Sequence, residues 1–129
     1  MADDVNASGE ISITLDAEYV LRPSYAAISA IEDKTGRSVI ELANDAAQGG
    51  LKLRESAIIA AAMMRAWGNE ATGIGDEVQA GAARSNEARV GELIYEAGLP
   101  KINTRLAIVL IGAATGGYTI SGKAKAAAE

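Results

Sequence analysis

The stretch that decides the fold is Leu53-Arg54-Glu55-Ser56-Ala57-Ile58-Ile59-Ala60-Ala61-Ala62-Met63-Met64-Arg65-Ala66-Trp67. Alanine and methionine are strong helix formers, and Gly68 follows as a stop. The spacing predicts one helix in which Ile59, Met63, Ala66 and Trp67 share a face. On its N-terminal side, Ser38-Val39-Ile40-Glu41 has the S-x-x-E form of a capping box. It opens a helix with Val39, Leu42, Ala43 and Ala46 inward, ended by Gly49-Gly50. Before that, Ser24 caps a helix beginning at Tyr25, with Ala27, Ile28 and Ile31 at helical spacing. Lys34 suits its last turn, and Gly36 ends it.

Further back, Ile11-Ser12-Ile13-Thr14-Leu15 alternates apolar and polar, the pattern of a half-buried strand. Asp16-Ala17-Glu18 can turn the chain into a second strand, Tyr19-Val20-Leu21-Arg22, which Pro23 closes by removing a ladder donor. Two strands alone are marginal, so this hairpin must pack on helices. Residues 1–9 are acidic and polar and are expected to be a disordered arm.

Toward the C-terminus, Gly73, Gly75 and Gly81 argue for a loop over 69–84, although Asp76 to Ala80 can form one or two helical turns. Ser85 is the expected cap of a fourth helix, with Val90, Leu93, Ile94 and Ala97 inward and Gly98 after it. Pro100 suits the first turn of a fifth helix, roughly Lys101 to Ala114. Ile102, Leu106, Val109, Leu110 and Ala113 form its stripe, while Ile108 and Ile111 add apolar surface elsewhere. A helix apolar all round is central in its bundle or covered by a partner. Residues 116–129 read as a flexible tail. The expected fold is α+β and mainly α: an N-terminal β-hairpin and about five short helices in one domain over residues 10–115.

The 129 residues are 49% hydrophobic and include 27 alanines, but no cysteine, histidine or phenylalanine. Disulfides, Cys/His zinc sites and histidine-dependent nucleophile systems are therefore excluded. Of 17 acidic residues, Asp3, Asp4, Glu10, Asp16 and Glu18 fall in the first 18 positions, which hold no base; the remainder is balanced against 12 Lys and Arg. Such a charge distribution suits neither nucleic acid nor another polyphosphate. The N-terminus lacks a signal-peptide pattern and the longest apolar run is far short of a membrane span, so a cytoplasmic protein is expected.

Gly117-Tyr118-Thr119-Ile120-Ser121-Gly122-Lys123 matches G-x-x-x-x-G-K. Ala124 stands where a magnesium-binding hydroxyl belongs, and too little chain follows for the phosphate-holding helix. Gly73-Ile74-Gly75 starts like a dinucleotide fingerprint, but Val78 occupies the third glycine's place. The carboxylate pairs Glu32-Asp33 and Asp76-Glu77 diverge by about 100° on a helix and do not converge on a substrate atom. No catalytic, cofactor-binding or metal-ligating set is expected. Met63 and Met64 beside Trp67 suit either an adaptable binding surface or an aromatic-poor core, with core filler favoured. With Ile108 and Ile111 they are the candidate partner-binding residues.

Leu21-Arg22-Pro23-Ser24-Tyr25, Ile31-Glu32-Asp33, Gly36, Ser38-Val39-Ile40-Glu41-Leu42 and, later, Gly91-Glu92-Leu93-Ile94-Tyr95-Glu96-Ala97-Gly98 carry a resemblance. The chain resembles the tail assembly chaperones encoded in gene transfer agents and related phage-like tail clusters, over roughly residues 10 to 112. The resemblance implies a non-enzymatic protein that coats the tape-measure protein, keeps its long apolar helices soluble and helps to recruit tail-tube subunits. A structural tail-tube component, a generic helical adaptor and a homo-oligomer remain open alternatives on the sequence.

Overall fold

The computed structural model describes residues 10–72 and 76–125. Strands β1 (Ile11–Thr14) and β2 (Glu18–Leu21) pair antiparallel, with Ile11 opposite Leu21 and Thr14 opposite Glu18. The alternation turns Ile11 and Ile13 into the core and leaves Thr14 in solvent. Among the described residues six helices follow: α1 (Tyr25–Thr35), α2 (Val39–Ala47), α3 (Leu53–Gly68), α4 (Glu77–Ala82), α5 (Glu87–Ala97) and α6 (Leu99–Ala114). The fold is α+β and mainly α, a hairpin followed by a helical array.

Local chemistry sets the boundaries. The Ser24 hydroxyl accepts from the Ala27 amide, and Gly36 ends α1 at φ +71°. Ser38 and Glu41 cap α2 reciprocally, as their spacing predicts. The helix beyond the expected five is α4, whose first turn is capped by the Asp76 carboxylate accepting from Gln79 N. The cap of α5 is Asn86, not Ser85: the Asn86 side chain accepts from Arg89 N at 2.8 Å. Ser85 instead donates to the Ala82 carbonyl at 2.7 Å and closes α4, because two adjacent helix ends divide the two polar residues between them.

The centre of the molecule is α3. It touches β2, α1, α4, α5 and α6, and every residue from Ser56 to Met64 is buried. Its small side chains permit this crowding. At Gly68 the approach is closest: a Cβ there would lie 2.1 Å from the Ala83 nitrogen. The apolar α6 is not the central helix of the array. It buries Ile102, Leu106, Val109 and Leu110 against α2, α3, α5 and β1 and leaves its opposite side open.

The C-terminal segment corrects the expectation of a flexible tail. Residues 116–125 fold back on the domain, extending it past 115. Gly117 N donates to Gly112 O at 2.8 Å, Tyr118 bridges Ala124, and Tyr25 N donates to Ile120 O at 2.8 Å. Gly116 and Gly122, at φ +80° and +90°, allow the reversal. The Tyr118 ring lies over Gly112, with its Cε2 2.8 Å from where a Cβ would stand. The acidic arm over 1–9, Gly73-Ile74-Gly75 and residues 126–129 lie outside the described residues.

Candidate interaction surface

The structure divides the five candidate partner-binding residues. Met63 and Met64 are fully buried, and Trp67 is only 9% exposed, so these three are core and form no part of an open surface. The reason is positional: they sit on the central helix, with β2 and α4 over its C-terminal half. Trp67 packs edge-on against Tyr19, with ring centroids 6.4 Å apart and planes at 88°. Tyr19 donates to Asp16 at 2.7 Å, and burial, reinforced by that carboxylate, pushes its phenol up to about 12. Ile108 and Ile111, by contrast, stand 40% and 45% exposed on the outer side of α6.

Sequence reasoning missed a groove of about 910 Å³ between the start of α3 and the outer side of α5. Gly91 brings these helices together: a Cβ on it would meet the Ala57 Cβ at 3.4 Å. Leu53, Ala57, Ala88 and Gly91 supply a low, mostly apolar wall, and Tyr95 stands 73% exposed at the edge. Arg54, Glu92 and Glu96 supply the charge around it. Arg89 and Glu92 neutralise each other at 3.3 Å, as do Lys34 and Glu87 at 2.6 Å. Such a trough suits the apolar ridge of another helix. A signal for it was present: a glycine inside a helix costs about 1 kcal/mol relative to alanine, and implies close packing where it is kept.

The start of α3 is braced by charge. Arg37 donates to Glu55 at 2.9 Å and also pairs with Asp45, tying α2 to α3. Burial alone would raise the Glu55 carboxyl, but the Lys52 amide and Arg37 outweigh it and hold the group below its ordinary value. Arg37 is in turn held more firmly protonated, chiefly by its hydrogen bond to Asp45 and then by that to Glu55.

A second surface lies on α2 and α6. The C-terminal end of α2 (Ala46, Ala47) meets the first turns of α6 (Leu99, Pro100, Asn103, Thr104) around a cleft of about 240 Å³. The two helices pack extensively against each other. Ile40 on α2 is also exposed, at 60%.

The Gly117–Lys123 turn keeps its amides for itself. Thr119 N donates to Lys123 O, Gly122 N to Thr119 O, and Lys123 N to the Thr119 hydroxyl. A loop cradling phosphate presents such groups outward. Among the described residues, no helix of 18 or more residues is apolar enough to cross a membrane.

The two stretches carrying the family resemblance have different structural roles. In the first, Leu21 is core, Ser24 caps α1, and Arg22 is a buried cation paired with Glu10 at 2.6 Å and Glu70 at 3.1 Å. In the second, Leu93 and Ile94 face the core, while Gly91, Glu92, Tyr95 and Glu96 line the groove. Comparison with protein-family models, curated proteins and solved structures yields no match to this chain.

Proposed function

We propose that this chain is a non-enzymatic tail assembly chaperone of a phage-like gene transfer agent, and that it holds amphipathic helices of the tape-measure protein in the α3/α5 groove. The observation that carries the reading is the second resemblance motif, four of whose residues, Gly91, Glu92, Tyr95 and Glu96, line that groove. The same stretch therefore supplies the resemblance and an open trough of helix-accepting shape. The residue inventory agrees with it. Without histidine or cysteine, the chain lacks the usual general base near neutral pH and the most reactive nucleophile.

In this role the domain shields an apolar ridge that would otherwise drive the partner to aggregate, and recruits tail-tube subunits to the coated tape-measure protein. Mixed charge at the edge fixes the helix's register without demanding one charge sign. The test is co-expression with a tape-measure protein encoded in the same genome. The wild-type chain is expected to keep that protein in the soluble fraction, and Tyr95→Ala or Ala88→Arg to lose this effect while folding normally. A tape-measure protein equally insoluble with and without the wild-type chain would count against the proposal.

A further inference from the structure

We propose that the cleft between the C-terminal end of α2 and the first turns of α6 binds a carboxylate carrying a short aliphatic tail. Its polar anchor is Asn103, which lines the cleft although only 5% of the residue is exposed. The Asn103 side-chain oxygen accepts from the Ser56 hydroxyl at 2.6 Å, and that bond fixes which way the amide points. The amide nitrogen has no acceptor among the described residues. The wholly enclosed side-chain nitrogen without a partner is Arg22 Nε, so the Asn103 nitrogen is not sealed inside the core. The opening that Asn103 lines is the cleft. A nearly buried amide nitrogen with two unspent N–H donors calls for an acceptor.

The surroundings select an anion. Gly98 precedes α6 and has no side chain, so no side-chain cap covers the first turn. Leu99 and Pro100 of that turn line the cleft. The start of a sixteen-residue helix carries partial positive charge, which favours a carboxylate there. Lys101, exposed on the same turn, adds a full charge of that sign. No lining residue is acidic. On the α2 side, the carbonyls of Asn44, Asp45 and Ala46 already accept from the amides of Gln48, Gly50 and Gly49. The Thr104 hydroxyl is spent on the Pro100 carbonyl at 2.9 Å, which leaves Asn103 as the side-chain donor.

Size and lining set the rest of the ligand. The cleft, of about 240 Å³, is smaller than the pockets of about 300–1,000 Å³ that take drug-sized molecules, so a nucleotide does not fit. Ala46, Leu51 and Leu99 offer an apolar wall for a short tail. A free short-chain acid and the C-terminal carboxylate of a peptide share this chemistry. The site is separate from the α3/α5 groove and does not rest on the chaperone reading.

The experiment is an NMR titration of the full chain at neutral pH with butyrate, and separately with butylamine and butanol. Butyrate should shift the Asn103 side-chain amide pair and the Leu99 and Lys101 backbone amides saturably, and the other two should not. N-acetyl-leucyl-alanine with a free carboxylate is the second probe, and its C-terminal amide the control. Tighter binding of the peptide than of butyrate assigns the carboxylate to a chain terminus, and the reverse assigns it to a free acid; both support the site. Asn103→Asp keeps an oxygen for Ser56 but replaces the donor, and should weaken butyrate binding by roughly tenfold or more. Ala47→Phe fills the cleft, leaves Asn103 in place and should also abolish binding, so the test survives if Asn103→Asp fails to fold by circular dichroism. Three results would overturn the proposal: no saturable shift with either carboxylate, the same shifts with butylamine, or butyrate binding unchanged in the folded variants. Tyr95→Ala, which acts on the groove, should bind butyrate as the wild type does, so failure of one site is distinguishable from failure of the other.

Discussion

The Ser56 hydroxyl donates to the Asn103 side-chain oxygen at 2.6 Å, with both residues buried between α3 and α6. This polar pair in an otherwise aliphatic interface fixes the register of the two helices. Ser56→Ala leaves the Asn103 oxygen without its donor and should cost about 1–3 kcal/mol. Ser56→Ala with Asn103→Leu should cost less than the sum of the single changes, since neither polar group is then stranded. Urea unfolding of the four proteins measures the coupling; strictly additive losses would show that the hydrogen bond carries no specific energy.

At Gly68 the neighbour is backbone rather than a side chain that can swing aside, because the missing Cβ would sit 2.1 Å from Ala83 N and 2.6 Å from Ala82 C. Gly68→Ala should therefore dislodge α4 and cost about 3 kcal/mol or more. Thermal unfolding gives the loss, and faster amide exchange over 77–85 gives its place. A variant with unchanged protection there would contradict the crowding.

Glu55 makes stability depend on acid. Its folded carboxyl is held below the ordinary value, so the stabilisation is present above the unfolded value and fades as pH falls through the folded one. Glu55→Gln should lower the urea midpoint most at neutral pH, and the gap from wild type should close below about pH 4. A gap that persists unchanged at low pH would assign the loss to packing instead.

The alkaline side belongs to Tyr19. Its phenol is raised to about 12, so its contribution is complete below the ordinary tyrosine value and is lost as pH climbs toward 12. Burial raises the Tyr118 phenol as well, so ultraviolet difference titration is best read in Tyr118→Phe, where Tyr19 supplies the late midpoint. Asp16→Asn should move that midpoint down only part of the way, because burial is the larger cause and Asp16 the second.

Helix existence was readable wherever local chemistry decides it. Ser24, the Ser38/Glu41 box, Gly36 and the apolar run of α3 act within a few residues of themselves. What escaped depended on distant neighbours. Nothing near Met63 and Trp67 says that β2 and α4 cover them. Ser85 and Asn86 are both competent caps, and only the position of α4 assigns each to its helix. The groove was hidden because it is shaped by what Gly91 lacks, opposite an alanine 34 residues away in sequence. The glycine-rich C-terminal turn looked mobile because its partners, Pro23 to Tyr25, are far back in the chain.

That turn has a bearing on how the molecule is made. The first turn of α1 receives a partner for the Tyr25 amide only from the carbonyl of Ile120, 95 residues later. A Cβ on Gly122 would touch the Ser24 nitrogen at 2.6 Å, so the fit of the two segments is close. During synthesis, α1 and α2 can form while the ribosome is still producing α6, but the entrance to α1 stays open until residue 120 emerges and α6 has docked. The contact spans 95 residues, so its loop-closure entropy is met only once both segments exist. The newborn chain thus passes through a stage with most of its helices built and one seam unsealed.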